Sequence, residues 1–134
     1  DNAINILLAK AMLAQIDPYM QVIEARNGDE AVAHYKTYRP DIVLMDIQMP
    51  GKDGYTAAEE IRAWERSEAY GRTPILALTA GTLKGEREKC LAAGMDDFIT
   101  KPFSQRLLVE RVKAILRRAS SRPSRAKRSR KRLS

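Results

Sequence analysis

A short apolar run that ends in a carboxylate constrains this chain more than any other stretch. Residues 42–45 are all apolar, Asp46 follows them directly, and the turn-forming pair Pro50–Gly51 comes soon after. An apolar run of this length, bounded by turn signals, predicts a strand buried on both faces, as in a parallel sheet. In open α/β sheets, ligands bind beyond the carboxyl ends of the strands. The run therefore predicts that Asp46 lies at a functional edge of such a sheet.

Strands and helices alternate along the rest of the chain. Five segments have the apolar spacing of helices and four resemble short strands, in the alternating order 2–15, 20–25, 30–38, 42–46, 56–69, 75–79, 83–93, 98–100 and 104–116. This alternation predicts a parallel sheet that is covered by helices on both faces. The 134 residues are enough for one domain with a substantial core.

The net positive charge of the chain comes entirely from its end. The net charge is +7, and residues 122–134 contain seven Lys or Arg residues and no acid, so the other residues hold 17 basic and 17 acidic side chains. Residues 119–134 have no apolar period, which predicts a disordered basic tail. Such a tail can bind nucleic acid or an anionic membrane surface, or it can simply be solvated.

Membrane and disulfide-rich classes are not favoured. No apolar run approaches the roughly 18 residues that a membrane helix requires, and no signal peptide opens the chain. The single cysteine, Cys90, excludes an internal disulfide and is typical of a reducing compartment. We therefore expect a cytoplasmic protein, or the cytoplasmic part of a larger membrane-bound protein, with no membrane insertion of this segment.

Polar side chains stand at three predicted strand ends. These are Asp46, Thr79 and Lys101, and Asp1 lies just before the first helix. Because the carboxyl ends of parallel strands meet at one edge, the four residues can converge there. Two carboxylates repel each other unless a cation joins them, and Mg²⁺ prefers oxygen ligands. Since a carboxylate can act as a nucleophile toward phosphorus, the pattern predicts metal-assisted phosphoryl transfer to Asp46.

Four motifs at these strand ends and in the connecting segments carry a family resemblance. They are MDIQMPGKDG at 45–54, LTA at 78–80, AGMDDF at 93–98 and KPF at 101–103. With these motifs, residues 1–118 resemble the receiver domain of two-component response regulators, especially receivers fused to hybrid sensor histidine kinases. The resemblance implies a flavodoxin-like, doubly wound parallel sheet with strand order 2-1-3-4-5.

The resemblance also assigns roles at the predicted site. Asp46 matches the phosphoacceptor, and Lys101 matches the lysine that pairs with the phosphoryl group. Asp1, Asp46 and the backbone carbonyl of Gln48 match the Mg²⁺ ligands. Thr79 matches the hydroxyl that follows the phosphoryl group. The family is a signalling module rather than a dedicated enzyme, with at most slow self-dephosphorylation.

Two further expectations follow from the resemblance. Phe98 matches an aromatic residue that changes rotamer during signalling, and Pro102 matches a cis-proline. The implied phosphodonor is a histidine kinase or a histidine-phosphotransfer domain, and the face formed by the fourth helix, the last strand and the last helix can support a homodimer. If these residues are part of a longer chain, the resemblance implies a hybrid histidine kinase, with the domain in the cytoplasmic part of a membrane-bound sensor.

The front of the chain departs from the family. The family begins with a central strand that ends in two acidic residues, whereas this sequence starts at the position of the second acid. The domain at 1–118 is therefore expected to be incomplete at its N-terminus, with the two neighbours of the first strand left unpaired. Two other functions stay open: a receiver-like interaction module that takes no phosphate, and nucleic-acid binding through the basic tail.

Overall fold

The computed structural model describes residues 2–25, 27–47, 53–69, 71–80 and 85–120. Within these ranges, five helices alternate with four strands, so the predicted alternation is confirmed. The elements are α1 (Asn2–Ile16), β1 (Val22–Ala25), α2 (Gly28–Tyr38), β2 (Ile42–Asp46), α3 (Gly54–Ser67), β3 (Ile75–Thr79), α4 (Glu86–Ala92), β4 (Asp97–Thr100) and α5 (Gln105–Ser120). None of the helices in the described part of the chain combines the length and hydropathy needed to cross a membrane.

The four strands form one parallel sheet in the order β1-β2-β3-β4. This is the predicted flavodoxin-like order for the strands that the sequence contains. The expectation of unpaired neighbours is wrong for the described residues, because β1 pairs directly with β2. Val22 lies opposite Ile42, and the parallel pairing continues to the end of β1. Buried backbone groups without partners cost free energy, and this direct pairing supplies partners for them.

Helices cover both faces of the sheet, as the alternation predicts. The side chains of Ile42 and Leu44 belong to a core shared with α1 and α5, which we call the α1/α5 core. Val43 and Met45 belong to the opposite core, shared with α2, α3 and α4, which we call the α2/α3/α4 core. None of these four side chains is more than 1% exposed. Successive strand residues point to opposite faces, so the apolar run at residues 42–45 contributes side chains to both cores.

Side-chain caps fix where three helices begin. At the start of α2, the Asn27 side chain accepts a hydrogen bond of 2.7 Å from the amide of Glu30. At the start of α3, the Asp53 side chain accepts a hydrogen bond of 2.8 Å from the amide of Thr56. Ser104 caps α5 in the same way, as predicted. Each cap satisfies a helical amide that has no partner within the helix. With these caps, α2 begins at Gly28 and α3 at Gly54, each two residues before the predicted start.

A buried ion network lies at the amino ends of β3 and β4, opposite the predicted site. The guanidinium of Arg62 donates to the carboxylates of Glu65 and Asp96 at 2.9 and 3.0 Å. It also donates to the carbonyls of Thr73 and Gly94 at 2.7 and 2.8 Å. Gly94 has φ +100°, and a Cβ there would lie 2.7 Å from Cγ of Arg62. Glycine is therefore needed at this position both for its backbone conformation and for the space it leaves.

Candidate functional site

A carboxylate and an ammonium group meet at the carboxyl edge of the sheet. Nζ of Lys101 donates to Oδ2 of Asp46 at 2.7 Å, and the two side chains are 24% and 28% exposed. Asp46 is the last residue of β2, and Lys101 follows β4. Since β3 lies between these strands, the lysine and aspartate side chains together bridge two strand spacings, roughly 10 Å of sheet. The contact therefore forms across the end of the intervening strand.

Thr79 ends that intervening strand. It is fully buried, and its carbonyl accepts a hydrogen bond of 2.7 Å from the amide of Lys101. Thr79 lies opposite Thr100 in the β3–β4 register, and Asp46 lies opposite Leu78, one residue earlier in β3. The structure thus brings Asp46 and Lys101 into contact and places Thr79 between their strands at nearly the same level.

Phe98 lies in β4, opposite Ala77 of β3. Its side chain is partly buried and packs against the α2/α3/α4 core. The amide of Phe98 donates to Oδ1 of Asp97 at 2.8 Å, and Nη1 of Arg111 donates to the carbonyl of Phe98 at 2.9 Å. The aromatic residue is therefore held by side chains as well as by the sheet.

Two of the predicted metal ligands, Asp1 and the carbonyl of Gln48, lie outside the described residues, as do residues 121–134 of the basic tail. Within the described ranges, no cluster of three His, Cys, Asp or Glu side chains could hold a metal ion. Asp46 is the one predicted ligand that these ranges include, and a partly exposed carboxylate oxygen suits Mg²⁺. The remaining ligands and nucleic-acid binding by the tail stay predictions.

Gly54 is a site-supporting residue that the sequence indicated only as part of a turn. A Cβ on Gly54 would lie 3.0 Å from Cα of Ile47 and 3.1 Å from the carbonyl oxygen of Asp46. The first residue of α3 therefore packs directly on the backbone that carries Asp46. The signal in the sequence is the pair Asp53–Gly54, in which a capping residue precedes a residue without a side chain.

Asn5 is a second supporting residue. Its Nδ2 donates to the carbonyl of Phe103 at 2.6 Å, which joins α1 to the segment just after Lys101. The peptide bond between Lys101 and Pro102 is cis, as the family resemblance implies. Phe103 is itself buried, 4% exposed, in the α1/α5 core. The segment that carries the lysine is thus anchored to α1 and to the α1/α5 core.

A second polar cluster lies beside the site, between α3 and α4. The hydroxyl of Tyr55 and both carboxylate oxygens of Glu86 are buried, and within the described ranges they have no hydrogen-bond partner of good geometry. Burial raises the pKa of Tyr55 to about 12, and the nearby Cys90 and Glu86 add to the shift. Burial likewise raises the pKa of the Cys90 thiol to about 11, with Glu86 adding to it. In the sequence, Cys90 stands among charged residues, which give no local signal of this burial.

The arrangement at the edge suits reaction with an electrophile that carries negative charge. The Asp46 carboxylate is partly exposed, so an incoming group can reach it. The ammonium of Lys101 already lies at hydrogen-bond distance, where it can offset negative charge that develops on that group. A carboxylate beside such a cation can act as a nucleophile and form a covalent intermediate.

Fold and site together define a flavodoxin-like α/β domain with a carboxylate–lysine pair at the carboxyl ends of its strands. The chain belongs to the response regulator receiver domain family, whose model matches residues 1–113. This result confirms the resemblance carried by the four motifs. Two-component signalling is therefore the setting of the family to which the chain belongs.

Individual relatives agree with the family assignment. The chain is 43% identical over 110 residues to the sensor protein GacS of Pseudomonas syringae pv. syringae, covering 82% of the chain but 12% of that protein. It is 42% identical over 103 residues to the hybrid signal transduction histidine kinase G of Dictyostelium discoideum, covering 77% of the chain and 3% of the kinase. The chain thus spans only a small part of these relatives.

A solved structure supports the fold. The receiver domain of the sensor histidine kinase PA1611 from Pseudomonas aeruginosa PAO1 is 40% identical, with a TM-score of 0.65. The match covers 87% of this chain and 91% of that domain. That structure contains a magnesium ion coordinated in its active-site cleft. The flavodoxin-like fold is therefore confirmed.

Proposed function

We propose that Asp46 accepts a phosphoryl group from a phosphohistidine in a two-component phosphorelay. The observation that carries the proposal is the 2.7 Å contact between Lys101 and Asp46 at the carboxyl edge of the sheet. Membership of the receiver domain family supports it. The donor is a histidine kinase or a histidine-phosphotransfer domain, and the chain acts as a signalling module.

The transfer forms one bond and breaks another. A carboxylate oxygen of Asp46 attacks phosphorus in line as the bond between phosphorus and the donor's histidine nitrogen breaks. The nitrogen keeps the electron pair of that bond, and an aspartyl-phosphate forms. Lys101 then pairs with the phosphoryl oxygens, and the hydroxyl of Thr79 donates a hydrogen bond to one of them.

Mg²⁺ is the cofactor that we assign to this site. Asp46 would hold it together with Asp1 and the backbone carbonyl of Gln48, and when bound it offsets negative charge on the phosphoryl oxygens. The magnesium ion in the PA1611 receiver supports this assignment by similarity. The chain's own part is to supply the nucleophile, the cation and the hydroxyl.

Phosphorylation then shifts the population between two conformers of the domain. Movement of Thr79 toward the phosphoryl group draws Phe98 toward the core and changes the face made by α4, β4 and α5. That face transmits the signal, through a partner or a homodimer. In a longer chain, the domain would be the receiver of a hybrid histidine kinase on the cytoplasmic side of the membrane.

Incubation with acetyl phosphate and Mg²⁺, followed by intact mass measurement, tests the proposal. The wild-type chain should gain the mass of one phosphoryl group, and Asp46→Asn should gain none. Asp29→Asn, which removes a carboxylate in the first turn of α2, is the matched control and should behave as the wild type. No mass gain in the wild type would favour the alternative of an interaction module that takes no phosphate.

A further inference from the structure

The backbone amide and carbonyl of Phe98 form hydrogen bonds with side chains, in addition to the pairing of β4 in the sheet. β4 is the last strand of the sheet formed by the described residues, and an edge strand has one side on which its amides and carbonyls lack strand partners. At Phe98, the amide donates to the side chain of Asp97 and the carbonyl accepts from Arg111. Both backbone groups of this one residue are therefore bonded by side chains.

Arg111 brings α5 into that arrangement. Besides the 2.9 Å bond to the Phe98 carbonyl, its Nη1 lies 3.6 Å from Oδ1 of Asp97. Nη2 of Arg118, two turns further along α5, lies 3.8 Å from the other oxygen of Asp97. The side chains of Asp97, Arg111 and Arg118 thus lie together beside Phe98, and of the two arginines only Arg111 contacts the Phe98 backbone.

The exposure of these groups indicates what the contact does. The side chains of Arg111 and Asp97 are 41% and 28% exposed, so solvent screens their ion pair and it adds little to stability. The directed hydrogen bond to the Phe98 carbonyl instead fixes a position. Both contacts are made by Nη1 of Arg111, whose N–H groups lie in the fixed plane of the guanidinium, whereas the ammonium of lysine rotates on a flexible stem.

We propose that Arg111 is a positioning residue that couples the backbone of Phe98 to α5. When Phe98 moves after phosphorylation of Asp46, Arg111 carries the displacement into α5. This inference rests on the proposed function, because it requires phosphorylation of Asp46 to move Phe98. It names the link by which the last strand and the last helix respond together.

Fluorine labelling makes the link measurable. The chain contains only two phenylalanines, Phe98 and Phe103, so labelling with 4-fluorophenylalanine gives two ¹⁹F signals. Phe103 is buried in the α1/α5 core and serves as the internal reference for folding. The ¹⁹F spectrum, hydrogen exchange of the α5 amides and intact mass are recorded before and after treatment with acetyl phosphate and Mg²⁺.

Three variants separate positioning from a general structural effect. Arg111→Met removes the donor, and Arg111→Lys keeps the charge without the planar guanidinium. Arg106→Met is the control, since Arg106 lies on the same helix, is highly exposed and pairs with Glu110 within α5. In the wild type, phosphorylation should shift the Phe98 signal and change exchange in α5. Arg111→Met should keep the Phe98 shift while the α5 response falls at least about threefold.

The remaining outcomes distinguish a failure of the coupling role of Arg111 from a failure of the proposed phosphorylation of Asp46. Arg111→Lys should give an intermediate α5 response, and Arg106→Met should match the wild type. An unchanged α5 response in Arg111→Met overturns the inference alone. No shift of the Phe98 signal in phosphorylated wild type overturns the inference and the proposed movement of Phe98, while phosphoryl transfer to Asp46 stands. Failure of the wild type to gain a phosphoryl group overturns the proposed function and the inference with it.

Discussion

The ammonium of Lys101 lies 2.7 Å from the carboxylate of Asp46, although the two residues are 55 positions apart. Asp46 ends β2 and Lys101 follows β4, and these two strands are not neighbours. The contact requires that β2, β3 and β4 be aligned in one parallel sheet. Because Lys101 must extend across the end of β3, the pair exists only in the folded domain. The fold thus creates the charge arrangement on which the proposed chemistry depends.

Removing the ammonium should slow phosphorylation of Asp46 without unfolding the domain. Both side chains are partly exposed, so the ion pair contributes at most about 1 kcal/mol to the free energy of unfolding. Loss of a group that stabilises developing charge costs on the order of 10²-fold in rate. We expect Lys101→Ala to show that decrease in the rate of mass gain with acetyl phosphate. Lys113→Ala, on the exposed side of α5, should keep the wild-type rate; equal rates in both variants would contradict the assigned role.

Replacement of Gly54 by alanine tests the close packing of α3 on the site. Helix propensity alone predicts that Gly→Ala raises the free energy of unfolding by about 1 kcal/mol. The added Cβ would instead meet backbone atoms of Ile47 and Asp46 at 3.0 and 3.1 Å, and backbone cannot move aside easily. We therefore expect Gly54→Ala to lower the free energy of unfolding by roughly 1–3 kcal/mol in urea titrations. Thr56→Ala, exposed on the same helix, is the control, and stabilisation of Gly54→Ala would rule out the tight approach.

The Arg62 network should be a major source of stability that is independent of the phosphoryl chemistry. Arg62→Met leaves Glu65 without its buried cation and leaves Asp96 with only the partly exposed Arg72, and breaking a buried pair from one side costs about 3–5 kcal/mol. Arg66→Met removes an exposed guanidinium one turn later in α3 and should change the free energy of unfolding by about 0.5 kcal/mol or less. Chemical unfolding of both variants provides the comparison. Similar stabilities for the two would show that the network contributes little.

The buried thiol predicts a loss of stability in alkaline solution. The Cys90 pKa is raised from 9.0 to about 11, so between these values the unfolded thiol has lost its proton while the folded thiol keeps it. The unfolded state then binds fewer protons, and the free energy of unfolding falls as pH rises, by on the order of 1–2 kcal/mol. Below pH 9 this contribution is constant.

Urea titrations between pH 7 and 11 measure that decrease. Cys90→Ala should flatten the part of the curve between pH 9 and 10, whatever its effect on stability at neutral pH. Tyr55, with its pKa raised to about 12, should continue the decrease above pH 10 in both proteins. Curves of identical slope for the two proteins between pH 9 and 10 would contradict the burial of the thiol.

The sequence predicted the features that depend on local patterns. The apolar run 42–45, its terminal carboxylate and the turn residues after it defined β2 and the position of Asp46. Strand ends at Thr79 and Lys101 followed from the same kind of signal, and parallel topology then brought the three residues to one edge. Periodicity, turn chemistry and the direction of the strands were sufficient for this much.

Features that depend on pairing between distant segments were not predictable in the same way. Direct pairing of β1 with β2 is set by the need to satisfy backbone groups once the sheet forms, and no local pattern specifies it. The contact of Arg62 with the carbonyl of Gly94 joins residues 32 positions apart, so no pattern near Gly94 indicates it. The burial of Glu86 and Cys90 was missed because the surrounding sequence is highly charged.

Transfer from a phosphohistidine to Asp46 tests the central claim most directly. A histidine-phosphotransfer domain carrying a ³²P-labelled phosphohistidine is mixed with the chain and Mg²⁺, and the label is followed on both proteins. We expect the label to move to the wild-type chain, to be located on the peptide that contains Asp46, and to remain on the donor with Asp46→Asn. Label that stays on the donor in the presence of wild type, while acetyl phosphate also gives no mass gain, would contradict the claim, as would equal labelling of Asp46→Asn.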